Sequence, residues 1–224
     1  MTYPVITIDG PSGAGKGTLS LLLAKQYGFH LLDSGAIYRL GALAAKLLDV
    51  NIDDESAVAN ICQYLDVEFE PTESGVAVIL NGQDVSQSLR TEEIGMMAST
   101  IAAYPSVREA LVERQRSFAR NPGLIADGRD MGTTIFPNAN AKIFLTAGAE
   151  DRAKRRYNQL MEAGCEADYS QILADIEQRD LNDAGRAVSP LAPADDALLI
   201  DSSTMGIDEV CQTVVSHLQS LKII

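Results

Sequence analysis

A doubly wound parallel α/β fold is what this 224-residue sequence predicts, and three observations predict it. Five short apolar runs are continuous rather than alternating, as strands buried on both faces are. Helical patterns lie between most of them. Four of the five runs end in aspartate, and in such sheets ligands bind outside the carboxyl ends of the strands.

In chain order, the first strand is Val5–Asp9. A glycine-rich loop, Gly10–Gly17, follows it, and then TLSLLLAKQYG, a helical pattern that ends in glycine. The second strand is Phe29–Asp33. A long insertion then covers roughly residues 36–120. Within it VEFEPTESGVAVILNGQDV alternates in polarity and turns at Ser74-Gly75 and at Asn81-Gly82. Asn-Gly is the strongest short hairpin signal, so a small antiparallel sheet is predicted here. Ser106-Val107-Arg108-Glu109 reads as a capping box opening a helix at about Val107. Strands Leu124–Asp127 and Lys142–Thr146 come next. A mostly helical excursion from about Ala149 to Pro190 precedes the last strand, Ala197–Asp201.

Composition narrows the function. A net charge of −13 would be repelled by nucleic acid and by an anionic membrane, so neither is expected as a partner. The charge is uneven. No base but nine acids lie between Lys46 and Arg90, whereas Arg108 to Arg186 holds twelve of the eighteen bases. An acidic protein that gathers its arginines in this way is expected to bind a small anionic ligand. Cys62, Cys165 and Cys211 show no C-x-x-C spacing and read as reduced thiols of a cytoplasmic protein. His30 and His217 have no partner at metal spacing. The opening MTYPVITID lacks the features of a classical export signal, and no apolar run approaches the length of a membrane span.

The glycine loop is the most specific local signal. Four of the eight residues from Gly10 to Gly17 are glycine, in the strand–loop–helix context that phosphate-binding loops require. Glycines let backbone N–H groups turn toward phosphate oxygens, the helix N-terminus adds partial positive charge, and Lys16 reaches the terminal phosphates. Gly10, Pro11, Ser12, Gly13, Ala14, Gly15, Lys16, Gly17 and Thr18 are therefore the expected nucleoside triphosphate site. The pattern G-x-x-x-x-G-K-[ST] places a magnesium-binding hydroxyl directly after the lysine, where this chain has Gly17. An enzyme that moves phosphate between two nucleotides can leave Mg²⁺ on the phosphates and waters. G-K-G-T is the form associated with nucleoside monophosphate kinases. No Asn-Lys pair exists to read guanine as the GTPases do. No metal ligand is assigned directly; Asp127, closing a core strand, is the candidate carboxylate for the water shell of the metal.

Three further stretches, LLDSGAIYR (31–39), PSVREAL (105–111) and LIADGRDMGT (124–133), join the glycine loop and the tail RDLNDAGRAVSPL (179–191). Together they resemble the bacterial cytidylate kinases, P-loop nucleoside monophosphate kinases, over essentially the whole chain. The resemblance implies a P-loop kinase fold with a five-stranded parallel core at 1–35, 121–148 and 190–224. It also implies a monophosphate-binding domain with a β-insert at 36–120 and a short helical lid at 149–189. ATP with Mg²⁺ would be the donor, and CMP or dCMP the acceptor. By the same resemblance Ser99, Arg108 and Asp130 meet the cytosine ring. Arg179 and Asp183 hold the ribose, and Arg39, Arg129 and Arg186 clamp the acceptor phosphate beside Ser34 and Tyr38. Lys16, Arg129, Arg156 and Arg186 carry the catalytic charge, and Arg152 and Arg156 are lid contacts to ATP.

The residues support these roles to different degrees. An arginine at Arg108 opposes the dipole at a helix start, which suggests a functional demand; the alternative is a solvated arginine paired with Glu109. Cytosine presents an amino donor for a carboxylate and ring acceptors for a guanidinium. Arg179, Asp183 and Arg186 fall at i, i+4 and i+7, one stripe continuing the apolar face of Ile172 and Ile176, unless the helix ends before Gly185. Arginine suits phosphate because its planar fork binds bidentately. A solvated loop arginine at Arg129 and a packing role for Tyr38 stand as alternatives. Arg152, Arg155 and Arg156 share a helix face, but Asp151–Arg155 and Glu150–Lys154 would also make ordinary surface pairs. A kinase for UMP or shikimate, or a nucleotide-binding regulatory module, would share the core. No long apolar surface helix asks for a partner, so a monomer is expected.

Overall fold

The computed structural model describes residues 3–72, 75–162 and 164–224. The chain divides into two compact units. One joins Met1–Asp33 to Gln115–Ile224, and the other is Ser34–Arg114. The unit Ser34–Arg114 overlaps the range 36–120 expected as one domain but has different ends, and residues 149–189 fall within the first unit.

The first unit is built on five parallel strands: β1 (Val5–Asp9), β2 (His30–Asp33), β6 (Leu124–Gly128), β7 (Ala141–Thr146) and β8 (Leu198–Asp201). Their order is β2-β6-β1-β7-β8, with β1 central. All five residues of β1 and of β6 are buried, which is why these runs carry no polar alternation. In register, Asp9 lies beside Gly128 on one neighbour and Phe144 on the other, so the carboxyl ends of the central strands are level. Helices α1 (Lys16–Tyr27) and α8 (Ile207–Ser220) bury Leu19 and Leu23, and Val210, Val214 and Leu218, in one cluster with Ile6, Ile8, Ile125 and Ile143. The i, i+4, i+8 spacing in α8 places its three residues on one stripe. Helix α1 stops at Gly28, whose φ of 67° only glycine adopts readily, as the closing glycine of its pattern predicts. Helices α6 (Ala149–Glu162) and α7 (Tyr169–Ala184) pack on each other.

The second unit contains α2 (Ser34–Leu47), α3 (Glu55–Gln63), α4 (Glu92–Ile101) and most of α5 (Pro105–Arg116). It also holds the antiparallel sheet of β3 (Val67–Thr72), β4 (Gly75–Leu80) and β5 (Gln83–Asp84). Asn81 and Gly82 both have positive φ, 50° and 76°, as a tight hairpin turn demands. Ser74, expected at the other turn, lies outside the described residues. Asp54 caps α3 by accepting the Ala57 N–H at 3.0 Å, and Thr91 caps α4 by accepting from Ile94. Gly41 lets α2 approach α3, since a Cβ there would sit 2.6 Å from Cys62 Sγ.

Helix α5 begins differently from its expected capping box. Pro105 is its first residue, and Ser106 turns to Glu55, to which its N–H and hydroxyl donate at 3.0 and 2.7 Å. Glu55 thus satisfies a first-turn donor of a helix fifty-one residues away in sequence.

Candidate active site

The glycine loop follows the central strand. Gly10 has φ of 146°, and a Cβ there would fall 1.9 Å from the Leu145 carbonyl oxygen, so no other residue fits. Gly13 and Gly15 are also left-handed, at 79° and 96°. Helix α1 starts at Lys16, leaving its first N–H groups without intrahelical acceptors, the usual setting for an anion. Lys16 is buried, and its ammonium donates to the Pro11 carbonyl at 2.9 Å and lies 3.8 Å from Asp127 Oδ1. Burial, and next the charge of Arg129, bring this ammonium down to about 8, while Asp127 opposes the change. Burial pushes Asp127 up to about 7, with Lys16 pulling it back. Both shifts describe charges held out of water beside the glycine loop. The position of the usual hydroxyl is accounted for as well. A Cβ on Gly17 would lie 3.5 Å from Asp127 Oδ2, so the carboxylate already faces the place a serine would use.

Asp9, Asp33 and Asp201 end strands β1, β2 and β8, Asp127 lies one residue before the end of β6, and the four differ in their surroundings. Asp127 faces Lys16. Asp9 accepts the N–H groups of Met131 and Gly132, both at 2.8 Å, and so pins the turn that carries Arg129 and Asp130. Burial raises its carboxyl to about 6, against those two N–H bonds. Asp201 only closes its own turn, accepting from the N–H and hydroxyl of Ser203. Asp33 is exposed.

Asp183 is the hub of the arginine cluster. Arg129 Nε donates to its Oδ2 at 2.7 Å, and Arg186 donates to its Oδ1. The Asp183 side chain is only 4% exposed, so two guanidinium groups share one buried carboxylate and keep a net positive charge between them. Burial works against the Arg129 charge, but Asp183, together with Asp127 and Asp33, outweighs it and the guanidinium is held above its ordinary range. A solvated loop arginine would show none of this. The predicted stripe holds for Ile176, Arg179 and Asp183, all buried on α7. It does not extend to Arg186: α7 ends at Ala184, and the Gly185 N–H closes it on the Leu181 carbonyl. Asp130 is buried at 2% exposure.

Helix α6 departs from its expected surface pairing. Arg155 donates to the carbonyl and hydroxyl oxygens of Ser202, rather than pairing with Asp151. Arg152 is buried and bonded to Ala147, Ser12 and Asp180. Arg156 is half-buried, and Lys154 is exposed.

In the second unit, Ser34 and Tyr38 are buried on α2 and Arg39 donates to the Leu89 carbonyl at 2.6 Å. Arg108 is 5% exposed, which sets aside the solvated reading. Its guanidinium donates to the Ala102 carbonyl at 3.0 Å and lies 5.8 Å from the centre of the Tyr38 ring, a cation–π contact. The Ser99 hydroxyl oxygen is buried with no hydrogen-bond partner among the described residues, a group suited to an incoming ligand.

The family model for cytidylate kinase matches residues 6–220. The chain belongs to the cytidylate kinase family. The cytidylate kinase of Aeromonas hydrophila is 58% identical over 214 residues, covering 96% of this chain and 93% of that protein. That of Vibrio cholerae is 55% identical, covering 97% and 96%, and that of Pasteurella multocida is 54% identical, covering 96% and 95%. Among solved structures, the shikimate kinase of Acinetobacter baumannii aligns over 100% of this chain and 97% of its own, at 17% identity and a TM-score of 0.44, too distant a likeness to argue from.

Three residues of this family member escaped the sequence reading as site components: Asp9, Asp180 and Ser202. Asp9 carried a signal, its place at the end of the central strand. Asp180 and Ser202 carried none, because their partners lie 28 and 47 residues away.

Proposed function

We propose that the protein transfers the γ-phosphoryl group of ATP to CMP or dCMP, giving ADP and CDP or dCDP, in pyrimidine nucleotide metabolism. The observation that carries this reading is the pair Arg129 and Arg186 on one buried carboxylate, in the same unit as Lys16, with Arg129 directly before Asp130 in sequence.

An ionised oxygen of the acceptor phosphate attacks the γ-phosphorus in line. The new P–O bond forms as the bond to the β,γ-bridging oxygen breaks, and ADP leaves with the electron pair. The second pKa of a phosphate monoester is about 6, so no base has to remove a proton. The barrier is repulsion between two polyanions, and this chain meets it with fixed cations. Lys16 exchanges the Pro11 carbonyl for the terminal phosphates, Arg129 and Arg186 grip the acceptor phosphate with Arg39, and Arg156 adds charge at the transferring group. Gly10 through Thr18 supply the loop around the donor. When bound, Mg²⁺ would supply further neutralisation of phosphate charge. Asp127 fits its water shell, since that carboxylate faces the side-chain position vacant at Gly17.

Asp130 accepts the cytosine amino group, and Arg108 and Ser99 meet the ring acceptors. Arg179 and Asp183 hold the sugar; each Asp183 oxygen keeps a lone pair beside its arginine bond. Ser34 and Tyr38 line the acceptor pocket. No described helix is long and apolar enough to cross a membrane. The net charge of −13 supports free nucleotides rather than nucleic acid or a membrane as partners, and the three free cysteines support a cytoplasmic protein; it acts as a monomer in this reading.

A steady-state comparison of CMP, dCMP, UMP and AMP tests the acceptor; a better rate with UMP or AMP than with CMP overturns the assignment. Asp130→Ala should reduce the preference for CMP over UMP by about tenfold, the worth of a hydrogen bond to a charged group, and leave ATP binding intact. Gly17→Ser tests the metal side. The variant should fold, because its Cβ makes only ordinary contact with Asp127. Its hydroxyl should tie up that carboxylate and lower kcat by about tenfold at saturating Mg²⁺. An unchanged kcat would remove Asp127 from the metal shell.

A further inference from the structure

Arg152 and its carboxylate partner stand apart from the proposed contacts. The Arg152 side chain is 3% exposed and its guanidinium is committed on three sides. Nε donates to the Ala147 carbonyl at 2.9 Å. One terminal nitrogen donates to Asp180 Oδ1 at 3.1 Å and to the Ser12 carbonyl at 3.0 Å, and the other to Asp180 Oδ2 at 2.5 Å. Helix α6 also lies directly on the glycine loop, since a Cβ on Gly13 would come within 3.3 Å of Arg152 Cβ.

The Ser12 contact has a geometric consequence. The Ser12 carbonyl and the Gly13 N–H belong to one planar trans peptide and point in opposite directions. A carbonyl held by Arg152 therefore turns the Gly13 N–H away from α6. Ala14 repeats the arrangement. Its carbonyl accepts from the Ser202 hydroxyl at 3.2 Å, and Arg155 secures Ser202 in turn. The carbonyls of a phosphate-binding loop must be held outward if its N–H groups are to converge on an anion. Two arginines of α6 do this from outside.

We infer that Asp180 is a positioning residue for ATP: it holds Arg152 on the Ser12 carbonyl and so keeps the glycine loop in its phosphate-binding shape. The inference rests on the glycine loop being the donor site. It also replaces the expectation that Arg152 touches the triphosphate. An arginine so close to the loop is drawn toward the phosphates, and Asp180 is the anion that retains it.

The two roles for Arg152 predict opposite signs for Asp180→Asn. If Asp180 positions the loop, losing its charge weakens ATP binding, even though a negative charge has been removed near a polyanion. The expected result is a rise of about tenfold in the Kd for ATP and in its KM, with the KM for CMP within about twofold of wild type. Arg152→Lys, which keeps the charge but cannot span the same acceptors, should match it, and the double variant should be no worse than either. An unchanged or tighter Kd in Asp180→Asn would make Arg152 a direct phosphate contact and overturn the inference. So would a parallel loss for ATP and CMP accompanied by a fall in Tm, the mark of a general structural role. Because ATP binding is measured by calorimetry without acceptor, its outcome is separate from the choice of CMP as substrate.

Discussion

Asp183→Ala is expected to cost about 3–5 kcal/mol of stability, the penalty for leaving buried charge without its partner. It should also lower kcat by about 10²-fold or more, through misplacement of the groups that align the acceptor. The carboxylate is 4% exposed and is the acceptor for both Arg129 and Arg186, whose side chains are 25% and 5% exposed. Without it the two guanidinium groups repel each other in a site from which water is largely excluded. Urea unfolding measures the first effect and single-turnover transfer the second. Asp183→Asn separates them, because an amide of the same shape retains packing and one acceptor oxygen. It should recover much of the stability and little of the rate. If the alanine variant transferred phosphate at the wild-type rate, the arginines would not need this anchor and the clamp would be wrongly drawn.

Lys16→Met should behave in the opposite way. Transfer falls by about 10²–10³-fold, the usual cost of removing a fixed donor aimed at developing negative charge. Stability should change by less than about 1 kcal/mol, because methionine fills the buried stem and a desolvated cation has been removed. Asp127 lies 3.8 Å from the ammonium and is already pushed up to about 7, so it can take a proton once its partner is gone. Thermal unfolding and a coupled assay on one preparation suffice. A large drop in Tm would make Lys16 a structural ion-pair partner first.

The parallel core was legible because β1 and β6 are buried throughout and the edge strands β2 and β8 are still short continuous apolar runs. Val5–Asp9 was read with its observed ends, and the other four strands within one residue. The hairpin at Asn81-Gly82 was legible because only certain residues tolerate two successive positive φ values. What the sequence concealed were pairings between distant residues. Ser106 looked like the first member of a local capping box, yet it bonds Glu55, and nothing in an i, i+3 spacing reports that partner. Arg155 looked like a surface pair for Asp151 and is instead a strut for Ser202. The charged stripe was right for Arg179 and Asp183 and failed at Arg186, because Gly185 closes the helix one residue earlier. Residue type and position reveal which side chains can carry charge to a site. The tertiary fold decides which of them hold the others in place.

Asp9 bears on how such an enzyme could be retargeted. Gly10 follows it directly, and its two oxygens secure the N–H groups just after Asp130. A library that changes the backbone course of residues 131–132 therefore also disturbs the residue that leads into the glycine loop, and clones with altered selectivity would tend to lose turnover as well. Diversity is better introduced at Ser99 and its neighbours on α4, which share no hydrogen bond with that carboxylate.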